Sequence, residues 1–573
     1  MQKIFILISI IFLITFSTAL SFSGNGSGTE EDPYQITNVH QLQEMNDDLD
    51  AHYILMNDID ASETREWNVG DHDEDPETPD SAMGFKPVGD FEEENPIAGF
   101  TGTLNGHGYS INGLYINRPV EDYVGLFGCI TDGGYVYDLH IEEADVIGDH
   151  LVGVFVGRAY AYEGDSEVNI DGCSSGGFVE GSNNVGGFCG GNYAHYGTTN
   201  IKDSYSISDA TVILNNVGGF CGTNYAHYGT ASISGSYANG YTLGGNSVGG
   251  FCGNNYAYYG TARISDSYAN GDVKGPHYYV GGFCGVNYAW NSGSTASISG
   301  SYANVKVSAK RDEVGGFCGM NFSFLSGSTA SIRNSYATGN ATGNDNVGGF
   351  CGKNEGAYGT ASIWDSYTTG DASGKNSVGG FCGLNYTHKS QAIAKIKRCY
   401  SIGVPEGSNL VGGFCGNQQG PGTELIISSY FDTQTSGTTE ISGGTGKTTA
   451  EMMMQSTFEN WDFDNVWCLV EGKTYPKLQH FVDCDTLVSV PEIDNDGELE
   501  IYPNPATDRI IISSSQYIQR IKIINMLGDV VKEIKPEGFA KEINVSAQDL
   551  PKGIYFIIIK NRTGQISRQI LII

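Results

Sequence analysis

A chain of 573 residues carrying 66 acids against 31 bases, net charge −35, is long enough for several domains and ill-suited to nucleic acid, whose phosphates need Lys and Arg. Gly is abundant at 80 residues, Pro is scarce at 15, and no Gly-X-Y period is present, which excludes collagen. The acidity also disfavours an anionic polysaccharide partner unless divalent cations bridge the two, and it serves the plain purpose of keeping an exported chain soluble.

Residues 1–22 read as a signal peptide. Lys3 supplies the positive start, Ile4–Phe16 the apolar run, and Ser17, Thr18, Ala19 and Ser21 the small residues before a cut. That run is 13 residues long, short of the roughly 20 a spanning helix needs. No Cys stands near the cut to take a lipid, so the mature chain is expected to carry no transmembrane segment. Residues 23–123 read as an acidic N-terminal cap and the entry to a β-solenoid: Ser23–Gly99 holds 21 acids against Arg65 and Lys86. Asp71, Asp73 and Asp75 alternate as calcium ligands do, but Pro76 and Ala82 stand where a calcium loop needs Gly and Glu. Calcium stays open as a cofactor, and no metal site is assigned.

Residues 124–430 are repeats. The block Val-Gly-Gly-Phe-Cys-Gly begins at Val185, Val217, Val248, Val280, Val314, Val347, Val378 and Val411, after degenerate copies at Val124 and Val152. Starts lie 28 to 34 residues apart. Each block is followed by Asn-Tyr-Ala, a polar turn, and a stretch such as Ala231-Ser232-Ile233-Ser234-Gly235-Ser236-Tyr237, in which apolar and polar residues alternate with the period of a half-buried strand. Cys399-Tyr400 fills one Ser-Tyr slot. Short strands joined by Gly turns, repeated about ten times, imply a parallel β-helix or β-solenoid, because a single unit cannot bury its own apolar face. The repeats resemble the GLUG repeat of bacterial surface and secreted proteins. The approach at Met56-Asn57-Asp58-Ile59-Asp60 and the exit at Trp461-Asp462-Phe463, Trp467 and Thr474-Tyr475-Pro476 fit as well, so the likeness spans roughly residues 33–480.

Two ladders run through the repeat. Cys189, Cys221, Cys252, Cys284, Cys318, Cys351, Cys382 and Cys415 occupy one position. In-register thiols on parallel strands point the same way, so they are expected as small buried fillers rather than disulfides or metal ligands. Whether Cys or the preceding Phe faces inward stays open, because Gly-Gly can form a corner. Three residues later comes an Asn-aromatic pair, whose aromatic members are Tyr193, Tyr225, Tyr256, Tyr288, Phe322 and Tyr386, interrupted by Asn354-Glu355. Tyr196, Tyr228, Tyr259, Trp290, Phe324 and Tyr358 trail behind. This row has two readings: stacking between coils, or an exposed strip that binds sugar rings or a protein partner.

No catalytic residue is assigned. There is no His-Glu-x-x-His and no Gly-x-Ser-x-Gly, and Gly443–Thr448 imitates a phosphate loop only until its first Gly slot, which is Ile441. The position before Ser-Tyr carries Asp203, Asp266 and Asp365, which are not on adjacent coils.

Residues 431–486 read as the closing region of the solenoid, where Cys468 and Cys484 stand apart from the ladder as candidates for a disulfide. A linker at 487–499 contains Asp494-Asn495-Asp496-Gly497. From residue 500 the chain changes: Tyr502-Pro503-Asn504-Pro505-Ala506-Thr507-Asp508, then Ile521–Val531 and Asp549–Lys560, give some seven short strands, a small β-sandwich, with 7 acids against 10 bases. These motifs, in this order over 500–573, resemble the type A sorting domain of type IX secretion. That resemblance implies secretion or anchoring at the outer surface of a two-membrane bacterium, with the secretion machinery as a partner. The sequence thus reads as an all-β protein, a solenoid from about Asp32 to Leu478 and then a sandwich. Its expected role is a non-catalytic, adhesin-like, multivalent surface that binds glycans or cell-surface proteins. The alternatives are a polysaccharide-degrading β-helix enzyme and a structural surface-layer component.

Overall fold

The computed structural model describes residues 22–70, 81–89, 99–438, 443–482 and 484, and then 499–502, 509–518, 520–525, 530–536, 540–547, 550, 553–560 and 565–572. Residues 1–21 of the segment expected to be a signal peptide, Asp71, Asp73 and Asp75, the Asp494–Gly497 motif and Pro503–Asp508 lie outside these residues. Contacts divide the chain into two units, Met1–Cys484 and Asp485–Ile573.

The first unit is a parallel β-solenoid. One coil shows the pattern: strands Cys221–Ala226, Thr230–Ser234, Tyr237–Ala238, Thr242–Leu243 and Asn246–Gly249, after which Cys252 starts the next. The first face is a ten-stranded sheet running from Phe127–Thr131 to Cys415–Gln419. The second face has thirteen strands, from Tyr34–Ile36 to Thr423–Ile427, so its earliest strands come from the acidic N-terminal segment. The third face is built of short strands that pair coil to coil. Register follows the repeat: Cys189 lies beside Cys221, Cys221 beside Cys252, and Tyr193 beside Tyr225.

The interior follows from the alternation. Ala231 and Ile233 point in and are fully buried, while Thr230, Ser232 and Ser234 remain partly exposed. At the Val-Gly-Gly-Phe-Cys corner both aromatic and thiol go in. Gly219 and Phe220 form a bend between two strands, so consecutive side chains turn to the same side, and Phe220 and Cys221 are each 0% exposed. The glycines are there for space: a Cβ on Gly218 would sit 2.1 Å from the Cys221 carbonyl oxygen, and one on Gly219 2.3 Å from that of Gly250. From Phe188 to Phe414 the rings stack 4.8–4.9 Å apart and within 7° of parallel, the spacing of neighbouring strands. Burying each ring contributes about 1.5–3 kcal/mol.

The corner before Ser-Tyr is left-handed, which explains its residue choice. Asp203, Gly235, Asp266, Gly300, Asn334 and Asp365 all have φ between 46° and 61°, a region that Gly, Asn and Asp enter most readily. Arg398 also takes it, at φ 52°, and is tied to Asp365 by two bonds of 2.6 and 2.5 Å. The following Ser forms a buried ladder: the Ser204 backbone N–H donates to Ser236 Oγ, and Ser236 to Ser267, each at 3.3 Å. Cys399 takes this slot with its Sγ 3.3 Å from the Lys397 carbonyl.

The closing region packs on the third face. Tyr205, Tyr237, Tyr268, Tyr302, Tyr336, Tyr367 and Tyr400 stack at 4.8–5.0 Å, and Phe481, Trp461 and Trp467 cover the later rungs. Trp467 Nε1 donates to Asp365, and Tyr400 Oη to the Pro476 carbonyl. Cys468 and Cys484 are disulfide-bonded with Cα atoms 6.0 Å apart. Thr448 and Glu451 form a capping box on the helix Thr449–Met452.

Among the described residues the second unit has seven antiparallel strands in two sheets, of three and four strands. Its core holds Ile510, Ile512, Ile521, Ile523, Ile557 and Ile559, as the alternation of apolar residues in these segments requires.

Candidate functional site

Asn and Tyr are adjacent in each coil but face opposite ways, since successive side chains on a strand alternate. The Asn row is interior. Asn192, Asn224, Asn255, Asn287, Asn321, Asn354 and Asn385 are each 0% exposed; from Asn192 to Asn354 each Nδ2 donates to the next Oδ1 at 2.7–2.9 Å, and Asn385 Nδ2 donates to the Ala394 carbonyl. The row continues through Asn354, so the interruption at Asn354-Glu355 belongs to the aromatic row alone. At the first rung the Asn192 Oδ1 has no donor, because the preceding coil offers Ala159 in register.

The aromatic row is exterior and half-buried. Tyr193, Tyr225, Tyr256, Tyr288 and Phe322 follow one another at 5.1, 5.2, 4.9 and 4.8 Å between ring centroids. Two more rows run beside it. His195, His227, Tyr258, Trp290 and Phe324 form the second, each two residues after its partner in the first. Tyr196, Tyr228 and Tyr259 form the third, stacked at 5.4 and 4.7 Å and 40–51% exposed. Trp290 and Phe324 therefore do not trail with Tyr196, and Tyr258 and the two histidines complete their row. The signal in the sequence is the two-residue spacing, which keeps a side chain on the same side of a strand.

Charge enters at both ends of the field. Arg158 lies over Tyr160 at 3.7 Å and over Tyr193 at 4.8 Å. At the break, buried Glu355 binds Lys353 at 2.5 Å and also binds His388, and Lys353 lies 5.4 Å from the ring of Tyr386, which resumes the row. Burial pushes the Tyr193, Tyr225, Tyr256 and Tyr288 phenols above their ordinary range, so they remain neutral hydrogen-bonding groups.

The Cys ladder is fully buried and none of its eight thiols is in a disulfide. Burial is the dominant influence on Cys221, Cys284, Cys351 and Cys382 and pushes them up, favouring the neutral thiol. At Cys252 and Cys318 the same burial is opposed by hydrogen bonds from neighbouring thiols. Cys173, in the Ser-ladder slot, is pushed up to about 12. Among the described residues, Asp122, Asp149 and His150 bring ligand atoms within 4.8 Å of one another, a grouping that no sequence motif announces. Asp203 and Asp266 are two coils apart, and Asp365 is held by Arg398 and Trp467.

Comparison with known proteins adds to this geometry. The model of the secretion system C-terminal sorting domain matches residues 500–573, and that of the GLUG motif matches residues 244–274. Halomucin from Haloquadratum walsbyi is 36% identical over 169 residues, 29% of this chain and 2% of halomucin. A protein of Evansella cellulosilytica described as a Gly-rich membrane protein is 31% identical over 177 residues, 29% of this chain and 18% of that protein. The chain thus spans only a small part of either relative. A crystal structure described as an immunoglobulin A1 protease candidate from Bacteroides ovatus aligns over 80% of this chain and 94% of its own, at 15% identity and a TM-score of 0.22, too loose to carry an argument. Among the described residues no helix is long and apolar enough to cross a membrane. With its coil-by-coil register and its two matched segments, the chain is a secreted or surface repeat protein that carries GLUG repeats and a type IX secretion sorting domain.

Proposed function

We propose that this protein is a non-catalytic, adhesin-like surface molecule whose binding face is the field of aromatic rows on the first sheet. The observation that carries the reading is continuity: five consecutive coils present Tyr193, Tyr225, Tyr256, Tyr288 and Phe322 in contact, with the second and third rows alongside. A contiguous exposed aromatic surface usually marks a contact site, and its repetition lets weak contacts on successive coils sum. Sugar rings and the surface proteins of host or neighbouring cells are the partners that such a face suits. The sorting domain supports this reading, since it implies secretion or attachment at the outer surface.

The test is retention of the Ser23–Cys484 unit on immobilised polysaccharides and glycoproteins, with polymer length followed in parallel. Retention without shortening, lost in a Tyr225→Ala, Tyr256→Ala, Tyr288→Ala triple variant, is the expected result. Shortening of the polymer would replace the proposal with an enzyme. Self-assembly without retention would replace it with a structural surface layer.

A further inference from the structure

We propose that the second face of the rod carries a separate groove for an anionic glycan, in which Arg263 and Arg333 read the negative charge and Trp364 supplies the platform for a sugar ring. Register sets the groove. Thr295, Ser297 and Ser299 lie beside Thr329, Ser331 and Arg333, and these beside Thr360, Ser362 and Trp364. The residues between them, Ala296, Ile298, Ala330 and Ile332, are buried, so the outward positions make a floor of hydroxyls across three coils. Arg263, in register with Ser297, bounds the floor on one side, and the whole encloses about 680 Å³.

The charge of this groove opposes that of the chain. Arg263 and Arg333 are exposed and form no ion pair among the described residues. They stand two coils apart, about 10 Å along the rod at the strand spacing. One acid, Asp266, lines the groove and lies 3.1 Å from His480, while Asp365 outside the lining is paired with Arg398 at 2.5 Å, so the two arginines outnumber the groove's single carboxylate. Lys395 stands 5.6 Å from the Trp364 ring, and Lys397 is in register with Trp364. Burial and repulsion from Arg398 and Lys395 hold the Lys397 amine below its usual range, a sign of crowded positive charge. An unpaired basic patch on a chain of net charge −35 selects an acidic ligand.

The floor favours a glycan over an acidic peptide. Ser and Thr hydroxyls both donate and accept, which matches sugar hydroxyls, and the 40% exposed Trp364 offers a flat apolar face to a sugar ring. A peptide bound by strand addition needs a free sheet edge, whereas these strands are paired on both sides. The groove lies on a different sheet from the aromatic rows and does not depend on their role.

The test titrates the full chain with a short oligogalacturonate, a sulfated oligosaccharide of similar length, a neutral galacto-oligosaccharide and poly-glutamate. The expected result is binding of the anionic saccharides, weakening with salt, with the carboxylate or sulfate preference identifying the anion. Arg263→Gln and Arg333→Gln should each weaken it about tenfold or more, and Trp364→Ala should weaken it while leaving the salt dependence in place. The titrations are repeated in a Tyr225→Ala, Tyr256→Ala, Tyr288→Ala background, where sugar held by the aromatic rows no longer contributes, which separates failure of this groove from failure of those rows. The three groove side chains are exposed, so unchanged melting temperatures are expected to accompany these losses. Equal binding of the neutral saccharide, equal or tighter binding of poly-glutamate, no binding of any anionic saccharide, or full affinity in the Arg263→Gln, Arg333→Gln double variant would each overturn the proposal.

Discussion

Asn287 and Tyr288 are neighbours in the chain and belong to two regions under different rules. Inside, seven consecutive coils keep Asn, because each amide is the hydrogen-bond partner of the same amide one coil away. Outside, the adjacent row accepts Phe322 and even Glu355, since a ring there needs only a neighbour to lie against. Uniformity in a stacked repeat therefore marks a bond that only identical rungs can make, and variation marks a surface where the fold leaves the chemistry free. Asn287→Ala should break this contrast most severely. It removes the acceptor of Asn255, at 2.7 Å, leaving that amide only the longer 3.4 Å contacts with the Ala262 and Ser297 carbonyls, and it removes the donor to Asn321, at 2.8 Å. An unmet buried polar group costs about 1–3 kcal/mol, so a loss of about 2–3 kcal/mol in unfolding free energy is expected from denaturant titration. A midpoint equal to that of the unaltered protein would show that the ladder is ornamental.

One residue along the strand, Tyr256→Ala should cost less than about 1 kcal/mol, because the ring is half-buried and its site opens to solvent. The same variant should reduce retention on a glycan or glycoprotein surface if the aromatic rows bind. Stability lost without a change in retention would assign the row to packing alone.

Most of the fold is legible in the sequence because it is periodic. The spacing of the Val-Gly-Gly-Phe-Cys-Gly blocks sets the coil, and the alternation in Ala231–Ser236 sets which face is buried. What stays illegible is local. Phe220 and Cys221 both turn inward because the bend at Gly219 suspends the alternation that pattern reading relies on. The Asn-Tyr pair reads as one ladder along the chain, whereas a period of two puts its members on opposite sides. The Asp203, Asp266 and Asp365 series invites a catalytic reading, but its left-handed backbone accounts for Asp, Asn and Gly there. The groove at Arg263, Arg333 and Trp364 is hidden because its members are 31 to 101 positions apart in the sequence and meet only through register, and because a net charge conceals a local reversal of sign.

The smallest effect expected concerns His195 and His227, which lie 4.6 Å apart in the second aromatic row. Burial lowers both below the usual value of 6.5, and His195 is lowered further by His227 and Arg158. A histidine depressed in the folded state binds its proton later than in the unfolded chain. Above pH 6.5 both states are neutral and the rings place no demand on stability. As pH falls below that value the unfolded chain protonates first, stability declines, and the decline ends below the folded-state values. Both rings are only partly buried, so the effect is small, and it is read as a difference in slope. Between about pH 7.5 and about pH 5, the range in which His titrates, the melting temperature of a His195→Gln, His227→Gln variant should fall less steeply than that of the unaltered chain. Parallel slopes would mean that the acid response comes from elsewhere in the molecule. A steeper slope in the variant would mean that these imidazoles gain, rather than lose, by carrying charge on the aromatic face, as a cation stacked on Tyr196 and Tyr228 would.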